Sequence, residues 1–224
     1  MNYHINTGLI LQEFKGESEC PLCEIKKIVE SQIVDQFLNE AVMVDNYRKH
    51  VNEKGFCSNH TDMLFSRSNK LGLALQHSTR INALSSKIEI TDNFKNAKKQ
   101  AEFFKNTSST CIICEIADLS MVRYYKTIAE LFFNEQDFKK LFLNTKGFCM
   151  KHYGELLTYA NYAKSSTKEY LKSLTTLQKT NTERIVDELK WFCDKHDYRN
   201  QDKPWNNSKD VLPRSIIKLH GSKK

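Results

Sequence analysis

The sequence predicts an all-α protein built from two pseudo-repeated helical units, each stapled by a Cys3His metal site. Three observations predict it. Glycine and proline are scarce, 7 and 3 in 224 residues, while Lys, Leu, Glu and Asn abound, a balance that favours long helices over a turn-rich sheet. Apolar residues recur at three- and four-residue steps along much of the chain. One phrase occurs twice, "KGFCSNH" at 54–60 and "KGFCMKH" at 146–152.

The phrase belongs to a longer duplication. "CPLCEI" at 20–25 precedes "KGFCSNHTDML" at 54–64, and "CIICEI" at 111–116 precedes "KGFCMKHYGEL" at 146–156. Two copies of one unit follow, 20–105 and 111–197, with an N-terminal segment over 1–19 and a C-terminal loop and short helix over 198–224. In the first copy, Ile25, Ile28, Val29, Ile33, Phe37 and Leu38 predict a helix after Cys23. In the second, Ile116, Met121, Tyr125, Ile128 and Phe132 predict its counterpart after Cys114, and Phe138, Leu141 and Phe142 predict a shorter helix. Gly55 and Gly147 read as residues that end a helix in the left-handed region. A new helix then starts at each Cys-x-x-His. Each copy closes on a long helix, Leu71 to Phe104 in the first and Thr167 to His196 in the second, with Leu171, Leu174, Leu177, Ile185, Leu189 and Phe192 on one stripe.

The repeated residues have metal-ligand chemistry. Cys-x-x-Cys puts two sulfurs on one tight turn, and the N-terminus of a following helix favours thiolates there. Cys-x-x-His at the start of a helix puts a thiolate and an imidazole on one face. A pair of each makes Cys3His, a structural zinc set. Pairing within each copy gives Cys20, Cys23, Cys57 and His60 as one site, and Cys111, Cys114, Cys149 and His152 as the other. Each site would tie the start of its copy's first helix to the start of its third. Two zinc ions are expected. An iron–sulfur cluster is the alternative cofactor, although it is held mainly by cysteines and each copy offers three. A thiol-redox or metal-responsive role for the CxxC pairs is the other alternative. Cys193 stands outside the pattern. Lys54, Lys146 and Lys151 lie near the ligands in sequence as candidate counter-charges.

These residues resemble a family catalogued as domain of unknown function 6062. It is marked by Cys-Pro-x-Cys, Gly-Phe-Cys-x-x-His, a Leu-Gly-x-Ala stretch, a second Cys-x-x-Cys and Gly-x-Cys-x-x-His, and Lys-x-Asp-Tyr-Arg near the end. Here these read Cys20-Pro21-Leu22-Cys23, "GFCSNH", "LGLA" at 71–74, "CIIC", "GFCMKH" and "KHDYR" at 195–199. The likeness runs from about residue 17 to the C-terminus. Asn200 stands where the pattern has an aromatic, and Leu212-Pro213-Arg214 where it has Trp-x-Arg. The resemblance implies the fold and the eight-residue ligand set, and no activity.

The formal charge is +7, with pI near 8.9 and mean hydropathy −0.57. Lysines are dispersed, and the arginines (Arg48, Arg67, Arg80, Arg123, Arg184, Arg199, Arg214) are scattered over both copies. Specific DNA binding concentrates such residues on one face, so no sequence-specific nucleic-acid binding is expected. No apolar run reaches 18 residues, so no membrane insertion is expected. The N-terminus lacks a basic n-region and a long apolar stretch, so a cytoplasmic chain with reduced thiols is expected. Lys195, His196, Asp197, Tyr198 and Arg199 cluster at the end of the last long helix, as either an acid–base group or an ordinary helix C-terminus with its cations. The expected role is a non-enzymatic interaction module, with a protein or a second copy of the chain as partner.

Overall fold

A computed structural model describes residues 6–222. Residues 1–5 of the expected N-terminal segment, and 223–224 of the C-terminal one, lie outside it. The described residues form eleven α-helices and no strand. They run α1 (Asn6–Phe14), α2 (Pro21–Leu38), α3 (Asp45–Lys54), α4 (Ser58–Ser66), α5 (Lys70–Ser85), α6 (Phe94–Ser108), α7 (Ile112–Asn134), α8 (Gln136–Leu143), α9 (Met150–Thr158), α10 (Thr167–Asp194) and α11 (Val211–His220). No helix among them is long and apolar enough to cross a membrane.

The chain divides into two compact units. One comprises Met1–Lys27 with Met121–Lys224, and the other Ile28–Ser120. This seam differs from the sequence repeat: each unit takes residues from both copies, and α2 and α7 each contribute to both units.

In the first unit, aromatic rings fill the core. Phe14 packs on Phe138 with centroids 5.3 Å apart, Phe142 on Phe148 at 5.7 Å, and Phe132 on Tyr170 at 5.2 Å. Each such pair adds about 0.5–1.5 kcal/mol beyond its area burial. Of the stripe expected on the last long helix, Leu174, Leu177 and Ile185 of α10 are buried, together with Tyr170, while Leu171, Leu189 and Phe192 are half-buried. In the second unit, Val34, Phe37 and Leu38 of α2 are buried, as are Val51, Leu64 and Leu73, and Phe56 stands edge-on to Phe37 at 5.8 Å.

The expected helix from Leu71 to Phe104 is two helices. The segment 86–93 between them carries the β-branched Ile88, Ile90 and Thr91, which lower helix propensity. Asn93 then opens α6 by accepting from the Lys95 and Asn96 N–H groups, as an N-cap does. The "LGLA" stretch also finds a physical reason. Asn69 caps α5 by accepting from Gly72 N–H and donates to Leu38 O at 2.7 Å. A Cβ on Gly72 would stand 2.6 Å from Leu38 O, so only glycine allows the approach.

Candidate metal centres

The two copies of the phrase share a local fold from the glycine onward; Gly55 ends α3 as expected, whereas α8 already ends at its C-cap Asn144, so Gly147 stands three residues past that end. Gly55 and Gly147 take positive φ, 66° and 78°, where a side chain is strained. Cys57 and Cys149 follow as N-terminal flanking residues of α4 and α9, at φ/ψ of −72°/163° and −72°/161°. Each begins a helical turn: Thr61 N–H donates to Cys57 O and Tyr153 N–H to Cys149 O, both at 2.9 Å. His60 and His152 sit one turn in, on the buried faces of their helices. The Cys-x-x-Cys turns lie at the starts of α2 and α7, with Pro21 at the first helical position of α2, where its missing N–H costs nothing.

The structure gathers all eight predicted residues into two groups of four. One is Cys20, Cys23, Cys149 and His152, the other Cys57, His60, Cys111 and Cys114. The four donor atoms of each group lie within 4.8 Å of one another. In the first, His152 Nδ1 is 3.4, 3.5 and 3.3 Å from the sulfurs of Cys20, Cys23 and Cys149, and Cys23 and Cys149 sulfurs are 3.7 Å apart. In the second, His60 Nδ1 is 3.2, 3.3 and 3.3 Å from Cys57, Cys111 and Cys114, with Cys57 and Cys114 sulfurs 3.8 Å apart. Both histidines thus present the same ring nitrogen.

The expected pairing within each copy is corrected: each group joins the Cys-x-x-Cys of one copy to the Cys-x-x-His of the other. Helix lengths are consistent with it. At 1.5 Å per residue, α2 with 18 residues spans about 27 Å and α3 with 10 about 15 Å, while α7 with 23 spans about 35 Å and α8 with 8 about 12 Å. Neither α3 nor α8 by itself runs back along the full length of the helix before it. Docking bonds follow the crossed arrangement. Ile112 N–H donates to Gly55 O at 3.1 Å, and Thr110 Oγ1 donates to Lys54 O at 2.6 Å.

Charge in the metal-free groups is shared unequally. In the first, burial and then the Cys149 and Cys23 thiols push Cys20 up, whereas hydrogen bonds from Cys149 and Cys20 hold Cys23 far below the usual thiol range. Burial opposes a charge on His152, but the Cys149 and Cys23 sulfurs outweigh it and raise the imidazole to about 9. In the second, burial likewise opposes ionising Cys111, but the His60 ring and the Cys114 and Cys57 N–H groups bring it down to about 6. Burial and the charge on Cys111 push Cys114 up to about 12. A dication supplies the charge that would ionise the remaining thiols and displace the imidazole proton.

Around the first group stand residues that sequence reading missed. Lys218 of α11, 3% exposed, donates to the carbonyls of Glu19 (2.7 Å) and Lys146 and pairs with the Glu19 carboxylate at 3.1 Å. Glu19 also pairs with Arg184 at 2.7 Å, and Arg214 bridges Glu188 and Glu19. Burial would raise Glu19, but Arg184 and Lys218 hold its carboxyl below the usual range. Beyond α11, Ser222 N–H points at Cys23 Sγ at 3.4 Å. Gln178 clamps the Phe148 backbone with two bonds of 2.9 Å. Glu30, also missed, lies 3.6 Å from His60 Nε2 in the second group. No motif marks these residues; a charged residue in a helical pattern reads as solvent-facing until the fold buries it. Of the three candidate lysine counter-charges, Lys54 pairs with Glu115 and Lys146 with Glu17.

Removing the Lys218 anchor tests this network. Lys218→Met deletes hydrogen bonds to a buried charge and two carbonyls, a loss of about 2–3 kcal/mol, or roughly 4–12 °C in Tm. Calorimetry showing an unchanged Tm would mean that α11 is held by its apolar side alone.

The Lys195–Arg199 cluster is occupied structurally. Lys195 is buried and donates to the carbonyls of Asn200, Gln201 and Lys203 at 2.7, 2.6 and 2.6 Å, which uses all three ammonium protons. Asp197 grips Arg199 at 2.6 Å, and Trp191 Nε1 donates to Pro204 O at 3.0 Å. These bonds fold the loop after α10. Cys193 is exposed and belongs to neither group.

The model of a family of unknown function (DUF6062) matches residues 1–224. An "Uncharacterized 23.9 kDa protein in xynA 3'region" of Caldicellulosiruptor sp. (strain Rt8B.4) is 23% identical over 191 residues, covering 85% of this chain and 88% of that protein. No solved structure matches the chain significantly.

Proposed function

The chain belongs to this family of unknown function, and from that premise we propose that it is a two-zinc helical protein, with one structural ion per compact unit and a non-enzymatic role in binding another macromolecule. The spacing of the donor atoms carries the zinc reading. A tetrahedral ion with Zn–S of about 2.3 Å and Zn–N of about 2.05 Å has S–S edges of about 3.8 Å and S–N edges of about 3.6 Å. The two groups have S–S distances of 3.7 and 3.8 Å and S–N distances of 3.2–3.5 Å. A [4Fe–4S] cluster attaches its ligands to separate irons and a [2Fe–2S] cluster spreads four over two irons, so either needs its ligands farther apart than a set of four donors all within 4.8 Å of one another, and this spacing favours a single ion. Four protein donors close the coordination sphere, which suits a structural rather than a catalytic metal.

Support for the interaction role comes from the second unit. Helix α6 has no buried residue, and Leu71, Leu75, Ile81, Phe94 and Phe103 of α5 and α6 are exposed. Such apolar exposure suits a protein partner or self-association, and the scattered arginines argue against sequence-specific nucleic-acid binding. A reducing cytoplasm would keep the six thiols free to ligate.

Elemental analysis of anaerobically purified protein tests the core of this reading, with about two zinc ions per chain expected. Iron with a visible absorption band would replace zinc with the cluster alternative. The pH dependence has a fixed sign. A metal must displace the His152 proton, held in the metal-free group to about 9, and the thiol protons, so affinity falls as pH falls. A competition titration with a chromophoric chelator at pH 8 and pH 6 will give the weaker binding at pH 6; equal affinities would point to ligands other than thiolate and imidazole.

A further inference from the structure

The two metal centres differ in what surrounds them, and the difference bears on their reactivity. All four residues of the Cys20–Cys23–Cys149–His152 group are buried. The chain end covers them: Ser222 N–H points at Cys23 Sγ at 3.4 Å, and a Cβ on Gly221 would stand 3.4 Å from Cys23 Sγ and 3.9 Å from Cys149 Sγ. The Lys218 ammonium lies within electrostatic reach of Cys20. An N–H donor and a nearby cation both draw electron density from thiolate sulfur. His152 Nε2, buried, has no hydrogen-bond partner among the described residues.

The Cys57–His60–Cys111–Cys114 group is more open, although its Cys111 sulfur also receives N–H groups, those of Cys114 and Cys57. Cys57 and Cys114 are only part-buried. His60 Nε2 lies 3.6 Å from the buried Glu30 carboxylate, beyond a hydrogen bond but close enough for the negative charge to strengthen the imidazole as a donor. A stronger imidazole donor leaves the metal less electron-hungry and its thiolates more nucleophilic. The more open centre is therefore also the one whose histidine faces a carboxylate.

We propose that the Cys57–His60–Cys111–Cys114 centre is an oxidation site for peroxides, which gives up its metal on oxidation, while the buried centre keeps its ion. The inference rests on the two-zinc reading. The Cys57 thiolate attacks one peroxide oxygen, the O–O bond breaks, and the departing hydroxide takes a proton from solvent to become water. The Cys114 thiolate, whose sulfur is 3.8 Å from that of Cys57, attacks the resulting sulfenic acid. An S–S bond forms and a second hydroxide leaves, to be protonated to water. Two thiolates lose two electrons and the peroxide O–O bond gains them. With two of its four ligands gone, the site no longer holds the ion. Glu30 acts through His60 as a positioning residue.

The zinc-loaded full chain, treated with hydrogen peroxide in the presence of a chromophoric zinc indicator, tests this. The expected result is release of one of the two ions at least 10-fold faster than the other, with tryptic mass mapping placing the first disulfide at Cys57–Cys114. The exposed Cys193 reports that oxidant reached the protein. Glu30→Gln will slow the fast release several-fold with zinc content unchanged; if that variant loses metal, the mapping on the unsubstituted chain still decides. Release of both ions together, first modification at Cys20, Cys23 or Cys149, or retention of both ions while Cys193 is oxidised would overturn the proposal and leave the two-zinc reading standing. Fewer than two zinc ions at the start would sink the two-zinc reading itself.

Discussion

A chain carrying Cys57→Ser and Cys111→Ser together will keep about one zinc ion, and a chain carrying Cys20→Ser and Cys57→Ser will keep none. The crossed pairing gives this inversion. Cys57 and Cys111 belong to one group, so losing both spoils one site; Cys20 and Cys57 belong to different groups, so losing both spoils two. Pairing within each copy gives the reverse. Zinc content measured by mass spectrometry under native conditions therefore separates the two arrangements without a structure.

Stability will follow the same order. A structural zinc ion contributes on the order of 10 kcal/mol to small domains that have no other core, and less where a helical core helps. The first unit has such a core in Phe132, Phe138, Phe142, Phe148 and Tyr170, all buried. The second has fewer large rings and an α6 with no buried residue. Cys57→Ser with Cys111→Ser will thus melt the second unit selectively, seen as loss of part of the helical circular dichroism at a temperature where the rest persists. Cys20→Ser with Cys57→Ser will abolish a single sharp transition. Equal, small shifts for both double variants would mean that the ions are not structural.

The eight residues of the two groups were legible in the sequence because a duplicated phrase repeats its chemistry, and nothing in core packing asks for a histidine three residues after a cysteine twice over. Their partnership was not. Two Cys-x-x-Cys turns and two Cys-x-x-His turns combine in two ways with identical composition, and the choice depends on helix lengths that periodicity sets only loosely. The short α3 and α8 fit the crossed choice. The helix expected from Leu71 to Phe104 failed for a local reason, the β-branched segment and Asn93 cap between α5 and α6, which an apolar period does not report. Glu19, Glu30, Lys218 and Gln178 were invisible for a third reason. Glu30, Lys218 and Gln178 are polar residues in helices and Glu19 lies in the connection between α1 and α2, and burial with a partner is a property of the fold. The Lys195–Arg199 cluster illustrates the converse: a stretch that looked chemical in sequence has its ammonium fully used by three carbonyls.

Cutting the chain between the sequence copies will have the largest effect of all. A fragment of residues 1–108 holds Cys20, Cys23, Cys57 and His60, the same Cys3His composition as a complete site. In the intact protein those residues belong to two different groups, so the fragment owns two half-sites. It also lacks Cys111 and Cys114 from the second unit, and keeps only α1 and the start of α2 from the first. Alone it will fail to fold as a monomer, with most of its helical signal absent and no tightly held zinc. The fragment 109–224 lacks Cys20, Cys23 and the Glu19 partner of Lys218, and will be deficient in the same way. Mixed with zinc, the two will recover helicity together and form a one-to-one complex holding about two ions, because each fragment supplies the half-site that the other lacks. A homodimer of either fragment is a permitted by-product, since Cys-x-x-Cys from one copy can meet Cys-x-x-His from the next. Analytical ultracentrifugation with zinc analysis distinguishes these outcomes. A monomeric, fully helical 1–108 fragment holding one zinc ion would restore pairing within the copy and remove the crossed arrangement on which the rest depends.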